Sequence, residues 1–150
     1  MSDRIEKSVE IKAPVSRVWR ALTDHTEFAQ WFRVKLEHPF VAGAVTRGNV
    51  TSAGYEHLKF EVTVTAKEPE RYFAFTWHPF PIDPNEDYSK EVPTLVEFTL
   101  EPINGGTRLR VVESGFNKIP AHRRAEAFRM NEGGWAVQVK NIATYVEHAA

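Results

Sequence analysis

The sequence predicts an α+β fold: an antiparallel sheet with one face in water, packed against a long C-terminal helix. Three observations carry this. Apolar and polar residues alternate with period two through the middle of the chain. The second face of those segments is mostly polar, as in antiparallel sheets solvated on one side. Towards the C-terminus the apolar spacing changes to i, i+4, i+7, i+8, i+11, at Trp135, Val139, Ile142, Ala143 and Val146, which is one stripe of a helix.

The elements follow in order. "RIEKSVEIK" places Ile5, Val9 and Ile11 on one parity, so it reads as a strand with one buried face; Lys7 shares that parity and is the exception. "AP" breaks it, and Pro14 suits the first turn of a helix. Val15, Val18, Trp19 and Leu22 then follow helical spacing, and "EFAQWF" reads as a second short helix. "RVKLEH" and "AVTRGNVTS" are weaker strand signals. "HLKFEVTVTA", "RYFAFTW", "TLVEFTL" and "TRLRVVE" are stronger, with Phe60, Val62 and Val64, then Phe73, Phe75 and Trp77, then Val96, Phe98 and Leu100, then Leu109, Val111 and Glu113 each on one face. "NGGT" at 104–107 is a hairpin signal. The proline-rich segment 78–93 reads as a long loop.

"NEGGW" at 131–135 interrupts the C-terminal pattern with two glycines. Phe128 lies seven residues before Trp135, so the apolar phase continues across them. The spacing predicts one long helix, or two nearly collinear pieces, from about Pro120 to Glu147. Glycine there lets the helix sit close against sheet aromatics or bend; close packing is the favoured reading.

The chain has 150 residues and a formal net charge of −1. The length suits one domain spanning 1–150. The charge gives no global attraction to nucleic acid or to an anionic membrane. The absence of cysteine excludes disulfides, thiolate nucleophiles and cysteine-held zinc or iron–sulfur centres. A reductase built on such a cluster with flavin and nicotinamide domains is therefore excluded. The N-terminal "MSDRIEKSVEIKAP" carries charges throughout and does not read as a signal peptide. No apolar run approaches a membrane span, so a cytoplasmic location is expected.

The histidines form no metal motif. His122 and Glu126 are four apart on a helix, but no third ligand accompanies them. "HRRAEAFR" is locally basic and reads as a solvated face. His78 opens the long loop, either near a cavity mouth or on the surface. No metal and no cofactor is expected.

The element order resembles the helix-grip fold of the START/Bet v 1-like superfamily, in which a curved sheet wraps a C-terminal helix. "APVSRVWRALTDHTEFAQWF", "VEFTLEPINGGTRLRVVESGF" and "GGWAVQVKNIATYVE" are similar to bacterial proteins named after the activator of Hsp90 ATPase. The resemblance covers nearly the whole chain. It implies an internal cavity between sheet and helix. The co-chaperone that names the family carries an additional N-terminal Hsp90-binding domain, for which this chain has no room.

In that fold the apolar strand faces look towards the long helix. The candidate ligand-binding residues are Trp31, Phe60, Val62, Phe73, Phe75, Trp77, Phe98, Val111, Glu113, Phe128, Asn131, Glu132 and Trp135. These side chains either fill a solid core or line an open cavity. Glu113 shares parity with Leu109 and Val111, while Asn131 and Glu132 lie four and three positions before Trp135. A buried carboxylate must be paired or protonated, so Glu113 and Glu132 are the candidates for holding a polar head or for acid–base catalysis. The plain alternative leaves Glu113 at the strand's end, in water or capping a backbone group. The expected function is binding of a small hydrophobic or amphipathic molecule by a non-enzymatic protein. A small enzyme of the same fold, polyketide cyclase-like or hydrolytic, is one alternative; a chaperone-interacting module is another. Expected partners are the small molecule alone, with no nucleic acid and no membrane insertion, in a monomer or weak homodimer.

Overall fold

The computed structural model describes residues 3–79, 81 and 87–148. Strand β1 (Arg4–Ile11) leads into helices α1 (Val15–Thr23) and α2 (His25–Phe32). Strands β2 (Val34–Leu36), β3 (Val45–Val50), β4 (Lys59–Glu68), β5 (Tyr72–Trp77), β6 (Thr94–Ile103) and β7 (Gly106–Ser114) follow, and helix α3 (Ala121–His148) ends the chain. The seven strands form one antiparallel sheet in the order β1-β7-β6-β5-β4-β3-β2. The first strand thus closes on the last, and both weaker strand signals are real strands. The expected helix-grip arrangement is present, with the sheet curved over the helices. A bulge between Val64 and Ala66 shifts the β4–β5 register, a device that bends a strand.

Local chemistry explains the boundaries. Pro14 stands just before α1 as its cap residue, extended at φ −67. Asp24 separates the two short helices, and its carboxylate accepts from the backbone N–H of Thr26 and Glu27 at 2.9 and 3.2 Å. These bonds satisfy two orphan donors of the first turn of α2. The hydroxyl of Thr26, with these backbone bonds, holds the Asp24 carboxyl below its ordinary value. Arg33 ends α2 in the left-handed conformation, at φ 67.

The two glycines of "NGGT" serve different needs. Gly105 takes φ +87 in the tight loop between Ile103 and Gly106, which pair directly. A Cβ on Gly106 would stand 2.1 Å from the carbonyl oxygen of Ile11, so only glycine lets β1 close on this hairpin.

The core lies between the sheet and the helices. Phe73, Phe75, Val96, Phe98, Leu109 and Val111 supply its sheet side, and Trp135, Val139, Ile142 and Val146 its helical side. Helix α3 runs unbroken through Gly133 and Gly134. Both glycines are exposed. A Cβ built on either meets nothing within 4 Å, which overturns the expectation that close packing against the sheet requires glycine there. The apolar stripe faces the sheet, and the glycines lie on the opposite, open side.

Candidate functional site

The site is built from the ends of β5, β6 and β7 and the middle of α3. Antiparallel register sets Glu113 between Ile5 of β1 and Val96 of β6. Trp77 pairs with Thr94, and Thr94 lies two residues from Val96 on the same face. Alternation therefore points Trp77, Thr94 and Glu113 together under the helix. Asn131 and Trp135 are four apart on α3, so they project from one side.

Glu113 is 0% exposed. Its Oε1 accepts from Asn131 Nδ2 at 2.9 Å and Trp135 Nε1 at 2.8 Å. Its Oε2 accepts from Thr94 Oγ1 at 2.6 Å and Trp77 Nε1 at 2.8 Å. Each oxygen thus takes two hydrogen bonds, which fills the acceptor capacity of a carboxylate. All four donors are neutral, and among the described residues no Lys, Arg or His forms an ion pair with Glu113. The carboxylate ties β5, β6 and β7 to α3 at one point. It neither faces water at the strand's end nor caps a backbone group.

The tryptophans turn their N–H groups to Glu113 and their carbon faces to an aromatic cluster. Their ring centroids are 5.7 Å apart. Phe32 stands 6.2 Å from Trp77 and 6.1 Å from Trp135, contacting both. Phe60 lies 6.1 Å from Trp77, and Phe98 lies 5.7 Å from Trp135. Phe75 completes the wall at 5.3 Å from Trp77. Phe60, Phe75, Phe98 and Trp135 are buried, whereas Phe32, Trp77 and Asn131 are only half-buried. The cluster therefore reaches the surface along the seam between α2 and α3.

Other predicted residues lie elsewhere. Trp31 is buried, but its Nε1 donates to the carbonyl of Ala21 at 2.8 Å and holds α2 to α1. The next residue, Phe32, is the one that meets the tryptophans, and the sequence reading had not singled it out. Val62, Phe73 and Val111 are buried in the core, with Phe73 stacked on Phe98 at 6.0 Å. Phe128 is half-buried and packs edge-on against Phe116 at 5.1 Å. Glu132 is exposed, which corrects its inward assignment. Arg123, Ala127, Trp135 and Val139 are buried in α3 and, with half-buried Asn131, follow i+4 spacing, and Glu132 falls outside that row. Lys7 keeps its inward parity but is half-exposed.

Arg123 is the second correction, since its basic segment read as a solvated face. It is buried at 8%. Its guanidinium meets the Glu91 carboxylate at 2.6 and 3.0 Å and donates to the carbonyl of Pro79 at 2.8 Å. It also lies over the Tyr88 ring at 4.6 Å. His78 Nε2 reaches the carbonyl of Glu91 at 3.0 Å. Both ends of the long segment 78–93 are thus fastened to α3; residues 80 and 82–86 within it lie outside the described residues. No pattern in the sequence pairs Arg123 with a glutamate thirty-two residues earlier.

A separate cluster ties the helices together. Glu27 of α2 accepts from Arg17 at 2.7 Å, Arg20 at 2.9 Å and the Tyr145 hydroxyl at 3.0 Å. Burial works against the Arg17 charge, yet Glu27 outweighs it and holds the Arg17 pKa above its ordinary value. Burial, followed by Glu27, raises that of Tyr145. His122 and Glu126 are both exposed, and among the described residues no group of three metal-ligating side chains is gathered. No described helix is long and apolar enough to cross a membrane.

Comparison with solved structures supports the fold. The crystal structure of DynU16, a protein of the dynemicin biosynthetic locus, superposes with a TM-score of 0.75 at 28% identity over 99% of this chain. This chain spans about half of that protein, 48% of its length. MLL2253 from Mesorhizobium loti matches with a TM-score of 0.76 at 22% identity, over 98% of each chain. The Aha1 dimer from Colwellia psychrerythraea matches with a TM-score of 0.74 at 19% identity, over 99% of this chain and 98% of that one. No curated protein matches the sequence. The model of the family described as activator of Hsp90 ATPase homolog 1-like protein matches residues 12–147. With nearly its whole length matched, the chain belongs to the activator of Hsp90 ATPase homolog 1-like family.

Proposed function

We propose that the protein binds a small amphipathic molecule between the sheet and α3, at the cluster of Phe32, Trp77 and Trp135. The observation that carries this reading is the shared carboxylate. Two tryptophans from different elements anchor their polar edges on Glu113 and present apolar faces to one half-buried phenylalanine. A site with apolar walls and a few convergent polar groups is the usual form of a small-molecule pocket.

Phe32 is the movable part. It sits at the last position of α2, directly before the left-handed Arg33, and stacks on Phe28 at 4.7 Å. Its ring packs against both tryptophans, which also contact each other. A ligand enters by displacing it, and Phe60, Phe75 and Phe98 then line the apolar part. The place of DynU16 in a biosynthetic locus agrees with a small molecule as the occupant.

Catalysis has less support. Both oxygens of Glu113 are engaged by protein donors, and Glu132 is exposed. Glu113 acts in this reading as the anchor of the walls and not as a proton carrier.

Titration with N-phenyl-1-naphthylamine, a neutral apolar fluorophore, tests the reading. Wild-type protein is expected to bind it saturably at micromolar concentration with quenching of tryptophan emission. Phe32→Ala is expected to bind it more tightly, because the space is already open. Absence of saturable binding in both proteins overturns the proposal.

A further inference from the structure

The polar end of this site carries an uncompensated charge, and we propose that the site selects cationic amphiphiles, such as long-chain amines, over anionic ones such as fatty acids. The inference rests on the binding reading above and adds the head-group class.

The charge argument begins at Glu113. Its carboxylate is fully removed from water, and both oxygens act only as acceptors, from four neutral donors, which is the hydrogen-bond pattern of an ionised carboxylate. The charged groups around it leave that negative charge standing. Arg123 is matched by Glu91. His78 is engaged with the carbonyl of Glu91. Lys7 shares the inward parity of β1 opposite Val111, but it is half-exposed and makes no ion pair with Glu113. Other carboxylates of the neighbouring strands, Glu6 and Glu97, lie on the outer face with Arg110 and Tyr72.

Two further features favour a cation. Asn131 gives its Nδ2 to Glu113, which fixes the amide's orientation. Its Oδ1 accepts no hydrogen bond from the described residues, so the half-buried amide offers an acceptor to an ammonium or hydroxyl group. The walls are aromatic faces, whose negative quadrupoles attract cations and repel anions. Over about 5 Å at an effective dielectric near 20, one buried charge changes affinity on the order of a hundredfold. Access of water at the half-buried seam lowers that figure, so a preference of at least about tenfold is expected.

The test uses one chain length with three heads: dodecylamine, dodecanol and dodecanoate. Each displaces N-phenyl-1-naphthylamine from wild-type protein, below its micelle concentration. The proposal expects dodecylamine to bind at least about tenfold more tightly than dodecanoate, with dodecanol between. Glu113→Gln, which keeps the shape and removes the charge, is expected to bring the three together. The wild-type series stands on its own if that variant fails to fold. Dodecanoate binding as tightly as dodecylamine overturns the head-group assignment and leaves the binding reading intact. Failure of all three, together with the neutral fluorophore, overturns the binding reading itself.

Discussion

Arg123 and Glu91 form a buried ion pair: the guanidinium reaches the carboxylate at 2.6 Å, and each side chain is 9% exposed. The pair fastens the segment before β6 to the first turn of α3. Removing one partner strands the other charge in a poorly solvated place. Arg123→Ala and Glu91→Ala are therefore each expected to lower stability by about 3–5 kcal/mol. The double substitution Arg123→Met with Glu91→Leu is expected to cost less than either, because no charge is left behind. Urea denaturation of the three variants checks this. Losses under about 1 kcal/mol for both single variants would place the pair with surface ion pairs.

Gly133 and Gly134 have open space where a side chain would stand. Their backbone is already helical. Gly133→Ala and Gly134→Ala are each expected to raise stability by about 0.4–1 kcal/mol, through the smaller entropy of the unfolded chain. Thermal melts measure this. A loss of stability in either variant means that a contact absent from this structure forms at that position.

On the outer face of the sheet, the Tyr72 hydroxyl donates to Glu97 at 2.5 Å. Burial first, then the Glu97 carboxylate, push the phenol up from 10.0 to about 12. Because the folded value is raised, the stabilisation is complete below the ordinary phenol pKa of 10.0 and is lost as pH rises through about 12. Ultraviolet titration of wild type minus Tyr72→Phe isolates this group from Tyr145. A midpoint near 12 is expected; one at the ordinary value of 10.0 shows that the hydrogen bond does not hold.

The sheet was legible because alternation is a local signal: Ile5, Val9 and Ile11 alternate in sequence and Ile5 and Ile11 are buried in β1. Glu113 was found the same way, by sharing parity with Leu109 and Val111. Its partners were legible only in part, since Asn131 and Trp135 carry a helical spacing but Thr94 joins through strand register. Helical phase failed at Glu132, three residues from Trp135, because the buried row follows the i+4 line. Arg123 escaped for a different reason: a long-range ion pair has no sequence period. The aromatic pair Trp31–Phe32 shows the finest limit, since both rings fit an amphipathic helix and only the structure separates the one bonded to Ala21 from the one packed against Trp77 and Trp135.

The central claim is that ligand enters where Phe32 packs against both Trp77 and Trp135. The chain has four tryptophans, and each gives one indole N–H signal in a proton–nitrogen correlation spectrum. Titration with dodecylamine, followed on assigned signals, tests the claim most directly. The Trp77 and Trp135 indole signals, both bonded to Glu113, are expected to shift and saturate together, and the Trp19 signal, whose ring packs against Phe73, to stay in place. Saturable shifts confined to Trp19 and Trp31, or four signals unmoved at millimolar ligand, would contradict it.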